Sequence, residues 1–203
     1  MPAAATAKPR LSGPQRRDAI LDAALPLFAR DGYAGTSINE IVAATDVTKP
    51  VVYDHFASKR DLYVALLRRE GEAMFVSLAD GLVADRPLDQ RLRAIAQRLV
   101  RFVRAHPDAA RLLLRTPGGD ATTVAAHREL RDALTGTVTE AILADPAFLP
   151  SPGLSRRASA ALHAELQAAI FERMATYALD HPRASARAIA NLVTTFLWDG
   201  LGH

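Results

Sequence analysis

A chain of 203 residues is long enough for one domain, or two small ones, with a buried core. Hydrophobic residues make up 49% of it and aromatics 6%, and the absence of cysteine excludes disulfides, cysteine-based zinc fingers and thiol nucleophiles. The net charge is +3, but residues 1–17 hold Lys8, Arg10, Arg16 and Arg17 with no acid, so the remainder sums to −1.

A basic leading edge on a nearly neutral body suits a DNA-binding head joined to a body with another task. Ala, Leu and Arg dominate and no alternating strand pattern occurs, which predicts an all-α fold. The N-terminus lacks the apolar stretch of a signal peptide, and no run approaches the roughly 18 apolar residues of a membrane span. A cytoplasmic protein with no membrane partner is expected.

Met1 to Pro14, rich in Ala and Pro, has nothing to bury and is predicted to be a disordered basic tail, residues 1–14. Lys8-Pro9-Arg10 has the chemistry of a minor-groove arm, though a solvated tail is the simpler reading. A first helix is predicted from Gln15 to Arg30, with Ile20, Ala23, Ala24, Leu27 and Phe28 as its core stripe. Pro26 inside it removes one backbone hydrogen bond and predicts a kink or local loosening.

From Thr36 to Lys59 the chain reads as two short helices with a tight turn between them. Ser37 and Glu40 have capping-box spacing, and Ile38, Ile41 and Val42 share one face. Val47 plugs the turn, and Thr48 is expected to cap a helix with Pro50 in its first turn, where a missing N–H costs nothing. Val52 and Phe56 face inward, and Ser58 with Asp61 restarts the chain as a new helix at Lys59. This is a helix-turn-helix pattern over residues 15–58, whose second helix enters the major groove. The N-terminus of its first helix offers Thr36, Ser37 and free N–H groups to a phosphate. Thr48, Lys49, Pro50 and Val51 sit where base edges are met: Lys49 can donate to guanine, and Pro50 or Val51 can pack on a thymine methyl.

Gly32 to Leu62, GYAGTSINEIVAATDVTKPVVYDHFASKRDL, closely resembles the DNA-binding domain of the TetR (tetracycline-repressor-like) family of transcriptional regulators. The resemblance rests on Gly32-Tyr33, Thr36, Val47-Thr48 and the Tyr53, Phe56, Lys59 spacing, and covers about the first third of the chain. It implies that Tyr53, His55 and Lys59 grip the phosphate backbone. Pro50 departs from a position that is often glycine. Asp54 departs from a usually polar or aromatic one; it can accept from a cytosine amino group or pair with Arg60 or a helix neighbour.

Residues 59–203 are expected to form a helical effector-binding and dimerisation body. Its helices are predicted at Lys59–Asp85 (with Leu62, Leu66, Met74, Leu78 and Leu82 buried), Leu88–Ala105, Pro107–Arg115, Thr122–Ala144, Ser155–Asp180 and Pro182–Asp199. Arg91, Arg98, Arg101 and Arg104 ladder one side of the second of these, most simply as a solvated face rather than a second DNA surface. His127 and His163 fall in phase with apolar stripes, and with Phe102 and Phe171 they are the candidate lining of a pocket for an unknown small molecule. In the family the resemblance points to, such a pocket is occupied by an effector that moves two DNA heads apart. Leu162, Leu166, Ile170, Met174 and Tyr177 in the penultimate helix, with Ile189, Leu192, Val193, Phe196 and Leu197 in the last, are by the same resemblance expected to pair with a second copy in a two-fold homodimer.

Catalysis finds no foothold. No nucleophile elbow, phosphate-binding loop, dinucleotide fingerprint or metal-spaced histidine pair occurs, and Glu165 with Glu172 reads as a wet helix face. No enzyme, metal or cofactor is expected. The function implied is a dimeric regulator, most simply a repressor that binds a palindromic operator in double-stranded DNA and is released by a small molecule. The rival is an architectural DNA-binding protein without an effector.

Overall fold

In the computed structural model, residues 12–79, 87–115, 121–146 and 148–199 are described. Among them are nine helices: α1 Gly13–Gly35, α2 Ile38–Ala43, α3 Lys49–His55, α4 Lys59–Ala79, α5 Leu88–Ala105, α6 Pro107–Leu114, α7 Ala121–Leu143, α8 Arg156–Asp180 and α9 Ala186–Asp199. No strand occurs among the described residues, and no helix there is long and apolar enough to cross a membrane. The expected end of the fourth helix and Leu82 lie outside the described residues, as does most of the expected tail.

α1 starts earlier than expected because Ser12 and Gln15 form a capping box, so residues 12–14 belong to the helix start and not to a tail. The helix runs through Pro26; its non-helical geometry is at Gly32 instead (φ 73°, ψ −179°). Pro26 and Asp22, whose carbonyl loses its partner, are both exposed, so water can replace that bond without bending the helix. At Gly32 the positive φ favours glycine, and the Arg115 guanidinium lies 3.0 Å from where a Cβ would stand. α9 begins four residues later than expected. His181 to Ser185 form a turn, and the Ser185 hydroxyl accepts from the Ala188 N–H.

Three apolar cores organise the packing. The first gathers Ile20, Leu21, Ala24 and Phe28 of α1 with Ile41, Val52 and Phe56, and with Leu62, Tyr63, Leu66 and Leu67 of α4. Leu112 of α6 and Ala126 of α7 complete it, so the helix-turn-helix segment does not close a core alone. The second joins α5, α8 and α9 around Ala96, Val100, Val103, Met174, Ala178 and Ile189. The third is small: Ile142, Ala160 and Ala164. The arginine ladder of α5 is not a uniformly solvated face. Arg98 donates to the Ser77 carbonyl, tying α5 to α4, and Arg104 donates to the His181 and Ala184 carbonyls at the α8–α9 corner.

Candidate nucleic-acid interface and ligand cavity

α2 starts with the expected capping box: the Glu40 N–H donates to Ser37 Oγ (3.2 Å), and the Ser37 N–H donates to Glu40 Oε2 (2.7 Å). Hydrogen bonding from the Ser37 hydroxyl, and then from its N–H, holds the Glu40 carboxyl below its ordinary range. The Ser37 N–H is therefore engaged within the protein, while its side chain stays exposed. Thr36 is a correction. It is 2% exposed and its hydroxyl donates to the Gly32 carbonyl (2.9 Å), so it closes the α1 end and has no hydroxyl to offer a phosphate.

Thr48 does not cap α3 through its side chain, contrary to expectation. Pro50 occupies the second helical position and has no N–H to give, which removes one of the two donors an N-cap hydroxyl usually accepts from. Thr48 is left exposed, beside exposed Lys49 and Pro50 and half-buried Val51. Tyr53 is 45% exposed and His55 half-buried, while Val52 and Phe56 anchor the helix in the first core under the Arg17 guanidinium, 5.0 Å from the Phe56 ring. Helical spacing places Pro50, Tyr53 and exposed Asp54 on one face.

Lys59 is committed elsewhere. Its Nζ donates to the carbonyls of Tyr33 (2.8 Å) and Thr36 (2.9 Å) and lies 4.4 Å from the Tyr33 ring centroid. Two of its three donors fasten the α1–α2 corner to the start of α4, leaving at most one for a phosphate.

A cavity of about 880 Å³ opens where the three cores meet, its wall drawn from α4, α5, α6, α7, α8 and the loop after α7. Leu78 and Leu99, Val124 and Leu134, and Ile142 and Phe171 make most of that wall apolar. His127, His163 and Phe171 line it. Phe102 does not: it is buried against the His106 ring, 5.0 Å away, beyond the point where the α5 stripe leaves the cavity at Leu99. His163 Nδ1 bonds the Ser159 carbonyl (2.7 Å), and its ring meets Phe148 edge-on at 5.5 Å. Glu172 is not a wet-face residue paired with Glu165; it takes an ion pair from Arg131 at 2.9 Å.

Two polar contacts link the cavity to the first core, and neither had a sequence signal. Tyr63, buried in that core between Phe28 and Tyr33, lies with its hydroxyl 2.9 Å from His127 Nε2. Burial pushes the phenol up to about 12, with Arg115 pulling slightly the other way. Burial also lowers the imidazole, and Arg131 lowers it further. The pair is therefore neutral, and in the tautomer with the proton on Nδ1 the phenol O–H donates to Nε2. In the second contact, Arg115 lines the cavity and donates to the Phe28, Ala29 and Arg30 carbonyls at the end of α1. A cation there also opposes the negative end of the helix dipole.

α8 and α9 leave an apolar face open. Leu166 is 54% exposed and Leu192 73%, with Leu162, Tyr177 and Phe196 also exposed and Ile170, Val193 and Leu197 half-buried. Ile189 and Met174 do not belong to it: both are buried in the second core and complete the protomer.

An exposed second helix on a buried helix-turn-helix frame, carried by a helical body, defines a helix-turn-helix DNA-binding protein. Residues 20–66 match the family model for bacterial regulatory proteins of the tetR family. Over 197 residues the chain is 30% identical to the HTH-type transcriptional activator FasR of Mycolicibacterium smegmatis, covering 96% of this chain and 86% of that protein. The chain belongs to the TetR family and is a transcriptional regulator, not an enzyme. A TetR-like transcriptional regulator from Rhodococcus sp. RHA1 shares the fold with a TM-score of 0.76 at 24% identity, over 95% of this chain and 98% of that one. FadR from Bacillus subtilis, solved with stearoyl-CoA, shares it at 0.70 and 17%, over 91% and 99%.

Proposed function

We propose that the protein binds operator DNA as a two-fold homodimer, and that a ligand with a long apolar chain held in the cavity weakens that binding. It then acts as a repressor released by its effector, in the cytoplasm. The observation that carries this reading is the contact between cavity wall and head core, where Tyr63 meets His127. A ligand changes DNA affinity only through a difference in its own affinity for the two states of the protein. A wall residue bonded to the head core supplies such a difference.

Residues 15–58 serve as the reading head and residues 59–203 as the effector and dimerisation body. Ser37, Thr48, Lys49, Pro50, Val51, Tyr53 and His55 carry the DNA contacts. The open α8–α9 face covers its copy on a second chain, which sets two heads on palindromic half-sites. The cavity, at about 880 Å³, lies near the upper end of the roughly 300–1,000 Å³ typical of ligand sites and speaks against an architectural role without an effector. Its apolar wall, and the stearoyl-CoA bound by the B. subtilis neighbour, support an acyl-type chain.

The test is binding of the purified protein to its own upstream intergenic DNA and to a scrambled duplex across a salt series, with and without stearoyl-CoA. Preference for the upstream duplex at moderate salt, lost on Lys49→Ala or Tyr53→Ala and reduced by the ligand, supports the reading. Equal and steeply salt-dependent binding to both duplexes would leave phosphate contacts alone. The name of the M. smegmatis relative is that of an activator, so a ligand that strengthens the complex would reverse the sign of control proposed here.

A further inference from the structure

Most polar groups in the cavity wall already have partners. His127 bonds Tyr63, Arg131 pairs with Glu172, Arg115 holds the carbonyls of α1, and Asp145 has an interaction of its own. Arg91, in the first turn of α5, is different. Its side chain is half-buried in the wall, and its Nε–H is buried without an acceptor among the described residues. Met74, Phe75, Leu78, Leu92 and Ile95 also line the cavity; four of these side chains have no acceptor and Met74 has only a weak thioether one. A guanidinium does not lose its proton, so Arg91 places a permanent positive charge in a largely apolar wall. The wall as a whole carries four arginines (Arg91, Arg115, Arg128, Arg131) against two carboxylates (Asp145, Glu172).

We propose that Arg91 holds the anionic end of the effector, a carboxylate or phosphate attached to the apolar chain that fills the cavity. Both groups present paired oxygens to the guanidinium fork, and both form charge-assisted bonds that strengthen where water is excluded. The inference rests on the cavity being the effector site. It adds that the effector is an amphiphile of defined charge, read by one side chain.

Calorimetric titration of the full-length protein with palmitate, hexadecyl phosphate, palmitoyl-CoA and hexadecanol tests it. The expected result is that at least one of the three anions binds about tenfold or more tightly than hexadecanol, the scale of a charge-assisted bond. Arg91→Gln removes that preference and leaves hexadecanol unchanged, Arg91→Lys keeps part of it, and Arg128→Gln lowers it by less than Arg91→Gln. Because the Arg91 Nε–H has no bond to lose, apo Arg91→Gln should melt no lower than wild type. Which anion shows the preference separates a free carboxylate from the phosphate of a carrier. Hexadecanol binding as tightly as every anion, or Arg128→Gln abolishing the preference in place of Arg91→Gln, would overturn the assignment while leaving the cavity as the effector site. Failure of all four compounds to bind would remove the chain-binding reading itself.

Discussion

Tyr63 is buried and His127 half-buried, and two polar groups so placed would be costly alone and are inexpensive together. Neutrality of the imidazole is part of that arrangement, and it gives a pH dependence with a definite sign. Burial lowers the His127 pKa from an unfolded value of about 6.5. The unfolded chain therefore takes up a proton first as pH falls. The stability gained from holding this ring neutral is complete above about 6.5 and is lost as pH drops below it toward the folded value. We expect His127→Gln to flatten the decline in melting temperature over that interval, and a slope equal to wild type would contradict it. Lys59 makes a second point at this scale. Its two charge-assisted bonds to carbonyls predict that Lys59→Ala destabilises the fold by about 1–3 kcal/mol in denaturant unfolding. Tyr53→Ala, on an exposed side chain, should leave stability within about 0.5 kcal/mol. Loss of DNA binding is thus evidence of a DNA contact at Tyr53, and only of an intact head at Lys59.

Among the elements, α4 and α7 meet tightly at Gly71, where a Cβ would lie 2.7 Å from Leu130 Cδ1. That atom ends a flexible side chain which also lines the cavity, so Leu130 can turn into the empty space. Gly71→Ala gains up to about 1 kcal/mol of helix propensity, which offsets much of the local strain. We expect the apo melting temperature to change little while affinity for a chain ligand falls about tenfold or more, because the side chain takes part of the ligand's volume. Affinity equal to wild type would show that Leu130 moves elsewhere. The elements themselves were legible in the sequence wherever local chemistry decides them. The capping boxes, the apolar stripes and the Val52–Phe56 pair all appear where spacing puts them. Two failures were local, the Ser12–Gln15 capping box and the Pro50 that leaves Thr48 without a cap bond, and others came where distant chain segments decide. Nothing around Arg115 or Tyr63 announces a partner 64 or more residues away, and the last helix, read as starting at Pro182, follows a turn and starts at Ala186. That His127 and His163 face inward was readable from their phase with leucines, though not whether they meet a cavity or a core; Phe102 shares that pattern and faces a different neighbour.

For the whole molecule, the exposed α8–α9 face is where self-association is proposed. A charge placed there meets water in the single chain and a desolvated apolar contact in the pair. Leu166→Glu with Leu192→Glu should therefore leave the helical signal and melting of the protomer nearly intact, since both side chains are exposed. In analytical ultracentrifugation the variant should sediment as a single chain where wild type sediments as two, and its operator affinity should fall with it. Wild-type protein that sediments as one chain would sink the proposal. The first core has a consequence for exchanging parts between regulators. Because α4, Leu112 and Ala126 finish the packing around α1–α3, a chimaera that grafts residues 12–58 onto a foreign body would take the helices and leave their lid behind. A transplant that preserves the reading surface has to carry the buried faces of α4 and α6 and the start of α7 with it. The unit of inheritance for DNA specificity is larger than the segment that touches DNA.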